Sequence, residues 1–224
     1  IISIANHLYN TTDMILIIRG LEKIGYNAKD IENISSIFTT WGNKLTSIVT
    51  ALSTGLVISL IPSIVSNYTI GNMNKVNENF NKALQILLYA VLPVALFASI
   101  FSREIWLLFY APNEFGPTIM RFAFLVAFID GTFTVMCSTL NSLNKFKIIY
   151  FIVIIGLGFN AALDIPLILL FNKIGIYPYY GALTATVIGY VSSIIITLTI
   201  LNKKYKFNYT ETIKSLPKLL FSLI

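Results

Sequence analysis

Two consecutive apolar segments near the amino terminus each carry a row of polar side chains at helical spacing. The first row is Ser3, Asn6, Asn10 and Asp13, with His7 beside it, and its steps of three and four residues place it on one helix face. The second row keeps this spacing along the next segment and consists of Ser36, Thr40, Lys44, Ser47, Thr50 and Thr54. Such rows on apolar helices indicate the inside of a bundle or a hydrophilic cavity within a membrane.

Asp13 and Lys44 are the charged members of these rows, and a rise of about 1.5 Å per residue places them at comparable depth. In one interpretation Lys44 contacts an anionic group of a substrate, and Asp13 tunes the charge of Lys44 or carries a proton. In the other, the two residues form a structural ion pair that neutralises both buried charges. The other candidates for lining the substrate path are Asn10, His7, Thr40, Ser47 and Thr50. A proton shuttle is one role for His7, and a simple hydrogen bond is the other.

Three further polar residues lie within later apolar segments. Asp130 precedes Gly131, and Asp164 follows Asn160 by four residues, so those two share a helix face. We assign all three to hydrogen bonding between packed helices rather than to substrate contact. Cys137, the single cysteine, is interpreted as a small packing residue and cannot form an intrachain disulfide.

The composition requires these segments to be membrane helices. Of the 224 residues, 56% are hydrophobic and 12% are charged, whereas soluble domains carry about 25% charged residues. Spanning segments must be helical, because an open strand in lipid leaves backbone groups unpaired. We therefore predict an all-α polytopic membrane protein, with one six-helix transmembrane bundle over residues 1–215. The spans are predicted at about 1–19, 35–65, 82–109, 118–141, 147–171 and 179–201, and a further hydrophobic helix begins within 216–224.

The loops predict an orientation. Loops 66–82, 142–147 and 202–214 contain eight lysines, and loops 19–33, 103–121 and 172–178 contain six basic residues. We place the first set in the cytoplasm by the excess of basic residues. Because the net charge of +6 is spread over short loops between apolar runs, it favours a membrane surface and gives no support for nucleic acid as a partner.

The sequence lacks the motifs that nucleotide binding, zinc binding and triad catalysis require. The chain contains no phosphate-binding Gly-x-x-x-x-Gly-Lys-Ser/Thr loop and no His/Cys cluster with zinc-like spacing. No Ser/His/Asp set lies in a plausible soluble site. We therefore predict neither an enzyme nor a metal or cofactor site.

Several motifs resemble one transporter superfamily in order and spacing. They are Asn160-x-x-Leu163-Asp164, Gly175-Ile176 and Gly181-Ala182-x-x-Ala185-Thr186-x-x-Gly189-Tyr190, preceded by Asn10-Thr-Thr-Asp13, Gly20-Leu21, Leu56–Tyr68 with Pro62, Gly71-Asn72, Leu92-Pro93 and Ile105–Tyr110. Together they are similar to the multidrug/oligosaccharidyl-lipid/polysaccharide exporter superfamily. Within it, the chain looks most like the polysaccharide biosynthesis, stage V sporulation protein B and MurJ-like lipid II flippase family.

This resemblance implies the carboxyl-terminal lobe of a two-lobe transporter in the bacterial plasma membrane, whose amino-terminal lobe is missing from the sequence. It also implies that the first two helices line the central cavity, and that a basic residue near Lys44 is common. The implied partners are a lipid-linked oligosaccharide and membrane lipids.

Three functions remain open at this point. The leading hypothesis is a flippase that translocates a lipid-linked saccharide, either a polysaccharide repeat unit or lipid II, by alternating access. The alternative is an ion-coupled multidrug antiporter of the same superfamily, although Lys44 argues against a cationic substrate. The third is a non-transporting membrane scaffold for cell-wall synthesis.

Overall fold

The computed structural model describes residues 2–215, with side chains from His7 onward, and this part of the chain is a bundle of helices. The helices in chain order are α1 (Ile2–Lys23), α2 (Ala28–Ser36), α3 (Gly42–Thr69), α4 (Met73–Ile86), α5 (Leu92–Ile100), α6 (Ser102–Phe109), α7 (Gly116–Ser142), α8 (Phe146–Lys173) and α9 (Tyr179–Tyr205). π-helical segments at Ile37–Trp41 and Leu87–Val91 join α2 to α3 and α4 to α5. A last helical segment covers 210–215.

The all-α prediction is confirmed, and each of the six predicted spans overlaps one or more of these helices. Within the described residues, five helical stretches are long and apolar enough to cross a membrane, and they begin at residues 28, 73, 116, 146 and 179. The shorter, more polar α1 is not among them, so the count of six is approximate. The predicted helix in 216–224 lies outside the described residues.

Two predicted spans have boundaries that differ clearly from those of the structure. The second helical stretch begins at residue 28 rather than 35, because Asn27 accepts a hydrogen bond from the backbone amide of Asp30 at 2.8 Å and starts α2 early. The third stretch begins at residue 73 rather than 82, because Asn72 accepts a hydrogen bond from the backbone amide of Lys75 and starts α4 early. It ends at residue 100 rather than 109, because the backbone leaves helical geometry at Phe101 and α6 begins anew at Ser102.

The two predicted sets of loops lie at opposite ends of the bundle. At one end, the Lys145 ammonium lies 5.9 Å from the centre of the Tyr68 ring and 5.4 Å from that of Tyr205, which brings the α3, α8 and α9 termini together. At the other end, the Asn113 amide donates to Asn33 at 3.0 Å. The short turns between helices thus alternate between two faces, as in an up-and-down membrane bundle.

The α8–α9 hairpin is the most closely packed pair, and glycines make the close approach possible. A Cβ built on Gly181 would lie 2.5 Å from the backbone of Leu167 and Ile168, and one on Gly189 would lie 2.6 Å from the carbonyl oxygen of Gly156. Small residues at an interface let membrane helices approach at backbone distance. In the sequence, the spacing of Gly181, Ala185 and Gly189 by four residues predicts one face of α9 that a neighbour can approach closely. The structure confirms this packing face.

Around this hairpin, α1 packs on α8 and α9, while α7 packs on α9, α3 and α5. Buried side chains form two apolar clusters, one at each end of the bundle. The first includes Ile17, Ile34 and Trp106, and the second includes Phe80, Phe133 and Leu140. Between these clusters lies the layer that holds the intramembrane carboxylates.

Candidate functional site

A hydrogen-bonded cluster joins α1 to the α8–α9 hairpin, with Asn160 and Thr186 buried and Asp13 partly buried. The Asn160 side-chain amide donates to Oδ1 of Asp13 at 2.9 Å, and the Thr186 hydroxyl donates to Oδ2 at 3.0 Å. The same amide nitrogen lies 3.2 Å from the Thr186 hydroxyl oxygen. One carboxylate thus fixes the position of α1 against both helices of the hairpin.

Asp164, one turn beyond Asn160 on α8, adds a second carboxylate to this cluster. The residue is completely buried, and neither of its carboxyl oxygens has a hydrogen-bond partner among the described residues. Oδ1 of Asn160 is likewise buried and unpartnered. Native structures leave few buried polar atoms unsatisfied, so three of them at one place require an explanation.

Oxygen donors in this arrangement can hold a proton or a small hard cation. Hard cations prefer carboxylate and carbonyl oxygens, and the unpartnered oxygens of Asp164 and Asn160 are of these two types. Within residues 7–215, no group of three or more His, Cys, Asp or Glu side chains has metal-binding geometry. The unpartnered atoms are thus all oxygens, whereas structural zinc sites are built mainly from sulfur and nitrogen ligands.

A polar cavity of about 110 Å³ opens beside this cluster, between α1, α3, α7 and α9. Four of the residues singled out in the sequence line it: Asn10, Asp13, Thr50 and Asp130. Oδ1 of Asp130 is buried and has no hydrogen-bond partner within residues 7–215, and the Tyr190 side chain adjoins the same carboxyl group. The sequence suggested only a packing role for Asp130. The structure shows that this residue also lines the cavity.

Lys44 lies outside this cavity, and the proposed ion pair with Asp13 does not form. The Lys44 ammonium is exposed and lies 5.3 Å from the centre of the Trp41 ring, whereas Asp13 is bonded to α8 and α9. Thr40, Ser47 and His7 are also exposed and do not line the cavity. These four residues lie on surfaces that the described helices leave uncovered.

The polar face of the second helical stretch is wider than the single row seen in the sequence. Thr39, Asn43, Thr46 and Thr50 line the cavity and are spaced by three and four residues. The predicted row through Thr40, Lys44 and Ser47 lies one residue further along, which is a rotation of about 100°. Since both rows are polar, spacing alone does not reveal which one points inward.

Sequence reasoning also missed Thr186 and Tyr190 as site residues. Both belong to the small-residue motif of α9, which was read as packing alone. The position of Thr186 could have revealed it as a site residue. It lies between Ala182 and Gly189 on the helix face that approaches α8. Within a membrane, a hydroxyl on a close-packed helix face needs a hydrogen-bond partner from the protein. For Thr186 these partners include Asp13 and Asn160.

The fold and the site together define an integral membrane protein with charged groups buried in its helical bundle, an arrangement typical of transporters. The MatE family model matches residues 39–165, more than half of the chain, and the protein belongs to the MatE family. The lipid II flippase MurJ of Bacillus subtilis (strain 168) is 27% identical over 217 residues. That alignment covers 95% of this chain and 39% of the flippase, so the chain spans well under half the length of this relative. No solved structure matches the chain.

Proposed function

We propose that this chain is the carboxyl-terminal lobe of a flippase that moves lipid-linked saccharides across the bacterial plasma membrane. The observation that carries the proposal is the buried cluster of Asp13, Asn160, Asp164 and Thr186 beside a polar cavity. Intramembrane carboxylates are costly and mark transport pathways and proton relays. The similarity to a lipid II flippase over nearly the whole chain supports a lipid-linked substrate.

In this proposal the two polar rows of the second helical stretch have different roles. The row through Asn43 and Thr50 faces the cavity within the lobe. The row through Lys44 and Ser47 faces outward, where a second lobe completes the central path and a diphosphate passes beside the Lys44 ammonium. A polar headgroup crosses along this path while its lipid tail stays in the bilayer, and no covalent bond is broken.

The buried cluster would couple this movement to an ion. A proton or small cation held by Asp13, Asp164 and Asn160 supplies the positive charge that the cluster lacks. The chain's own contribution is to hold α1 against α8 and α9 through Asp13, as the two hydrogen bonds at 2.9 and 3.0 Å do here.

The test is complementation of a flippase-depleted bacterium with the full-length protein. We expect Lys44→Ala and Asp13→Asn to impair growth at normal protein levels, since one loses the phosphate contact and the other the buried charge. Lys173→Ala removes an exposed lysine far from the cavity and should grow like the wild type. Wild-type growth of both Lys44→Ala and Asp13→Asn would refute the proposal.

A second candidate, an ion-coupled multidrug antiporter, is favoured by one observation. Asp13 and Asp130 line the cavity, and none of the described lining residues is basic, which suits a cationic substrate better than a diphosphate. Efflux of a cationic dye that depends on Asp13, with no complementation of the flippase-depleted strain, would establish this function in place of the first.

A further inference from the structure

Five lysines surround the corner where α8 begins and α9 ends. Lys145 and Lys147 flank the start of α8, and Lys203, Lys204 and Lys206 lie at the end of α9. The two helices are antiparallel neighbours, and the Lys145 ammonium lies 5.4 Å from the centre of the Tyr205 ring. This basic corner therefore brings charges from two separate loops to one place at the membrane surface.

The positive charge of the basic corner has no counterion in the described part of the chain. Within residues 7–215, the ion pairs are those of Glu78 with Lys75 at 2.8 Å and with Lys82 at 2.7 Å. Lys145 instead contacts Tyr68 and Tyr205, and the Tyr68 hydroxyl oxygen, which accepts a hydrogen bond from the ammonium, raises the pKa of Lys145. The corner thus keeps its full charge, whereas Glu78 offsets one of the two positive charges of Lys75 and Lys82 on α4.

An exposed apolar stripe begins directly below this charge. On α8, Lys147 is followed at helical spacing by Phe151 and Ile154, whose side chains are 53% and 68% exposed. Tyr150 beside them is 54% exposed, and tyrosines are enriched at the level of lipid headgroups. A molecule with an anionic head and an apolar tail matches both parts of this surface.

We propose that the basic corner and the α8 stripe form a binding site for an anionic phospholipid of the cytoplasmic leaflet. The phosphate lies between Lys145 and Lys147, and an acyl chain runs along Phe151 and Ile154. Lys203 and Lys204 supply longer-range attraction to the headgroup. The bound lipid ties the α3, α8 and α9 termini together through Lys145. This site is independent of the transported substrate.

The test compares two double variants of the full-length protein in neutral detergent. Lys145→Gln with Lys147→Gln removes two charges from the corner, whereas Lys75→Gln with Lys82→Gln removes two charges that are already paired with Glu78. Each lysine near a membrane surface contributes about 1 kcal/mol to the binding of anionic lipid, so the first pair should weaken it roughly thirty-fold. The measurement is the rise in melting temperature on titration with phosphatidylglycerol, with phosphatidylcholine as the neutral lipid.

We expect phosphatidylglycerol to raise the melting temperature of the wild type and of the α4 variant at similar concentrations. The corner variant should need far more lipid, and phosphatidylcholine should have little effect. Equal effects of the two lipids, or an unchanged titration of the corner variant, would overturn the proposal. So would an equal effect of inorganic phosphate, which would assign a free anion, or much tighter binding of undecaprenyl phosphate, which would assign the transported substrate.

Discussion

Replacing Asp164 with Leu should stabilise the protein and abolish its function. Both carboxyl oxygens are buried without a partner, and Leu has the same branching without polar atoms. A buried unsatisfied polar group costs about 1–3 kcal/mol. We therefore expect Asp164→Leu to raise the free energy of unfolding by about 2 kcal/mol in a cation-free buffer. For a cooperative unit of about 200 residues, this corresponds to a rise of about 4–8 °C in melting temperature.

Asn160→Leu is the matched control, since it lies one turn away on the same buried face. Asn160 donates to Asp13 and lies within hydrogen-bonding distance of Thr186. Its replacement therefore removes these hydrogen bonds and leaves the Asp13 carboxylate with one donor fewer. The melting temperature of this variant should fall by a similar amount. Both variants are measured as full-length protein by thermal unfolding in detergent, and both are tested for complementation.

The two variants separate a functional carboxylate from a structural one. Asp164→Leu should be more stable and yet fail to complement, because a charge retained at a cost in stability is expected at a working site. If its melting temperature falls as far as that of Asn160→Leu, Asp164 has a stabilising partner, and the proposed ion site is wrong.

Two other predictions test the packing and the cavity. Gly156→Ala should destabilise the protein by about 1–3 kcal/mol, because its methyl group would overlap the hydroxyls of Ser193 and Tyr9; Gly158→Ala meets nothing within 4 Å and should be neutral or slightly stabilising in thermal unfolding. In a Cys137→Ser background, Thr50→Cys should react with water-soluble thiol reagents in membranes, because Thr50 lines the polar cavity. An unreactive cysteine at this position would instead favour the scaffold function.

The sequence was sufficient to predict the membrane helices and the close-packed face of α9. Apolar runs of about 20 residues set the spans, and the glycine spacing of α9 showed where α8 could approach. The start of α2 was harder to predict, because its capping by Asn27 is a local interaction within a polar segment that resembles a loop. The prediction of one span over 82–109 overlooked the polar residues Ser102, Arg103 and Glu104, which directly follow the break at Phe101.

The site was only partly predictable for a different reason. Asp13 and Asn160 were recognised as polar residues of separate spans, but their hydrogen bond joins residues 147 positions apart. Such a contact depends on how α1 lies against the hairpin, which periodicity within one helix does not specify. Lys44 and Thr50 were read as one row, and the tertiary structure separates them into an exposed residue and a cavity residue.

The continuous helical stretch from residue 28 to 69 is long compared with the thickness of a membrane. Its 42 residues correspond to about 63 Å of helix, roughly twice the thickness of the hydrocarbon core. Thr46 and Thr50 lie close to its midpoint and line the cavity. A tilt of about 10° around that midpoint would displace each end by about 5 Å. A small rearrangement at the cavity is thereby enlarged at both surfaces of the membrane, in opposite directions.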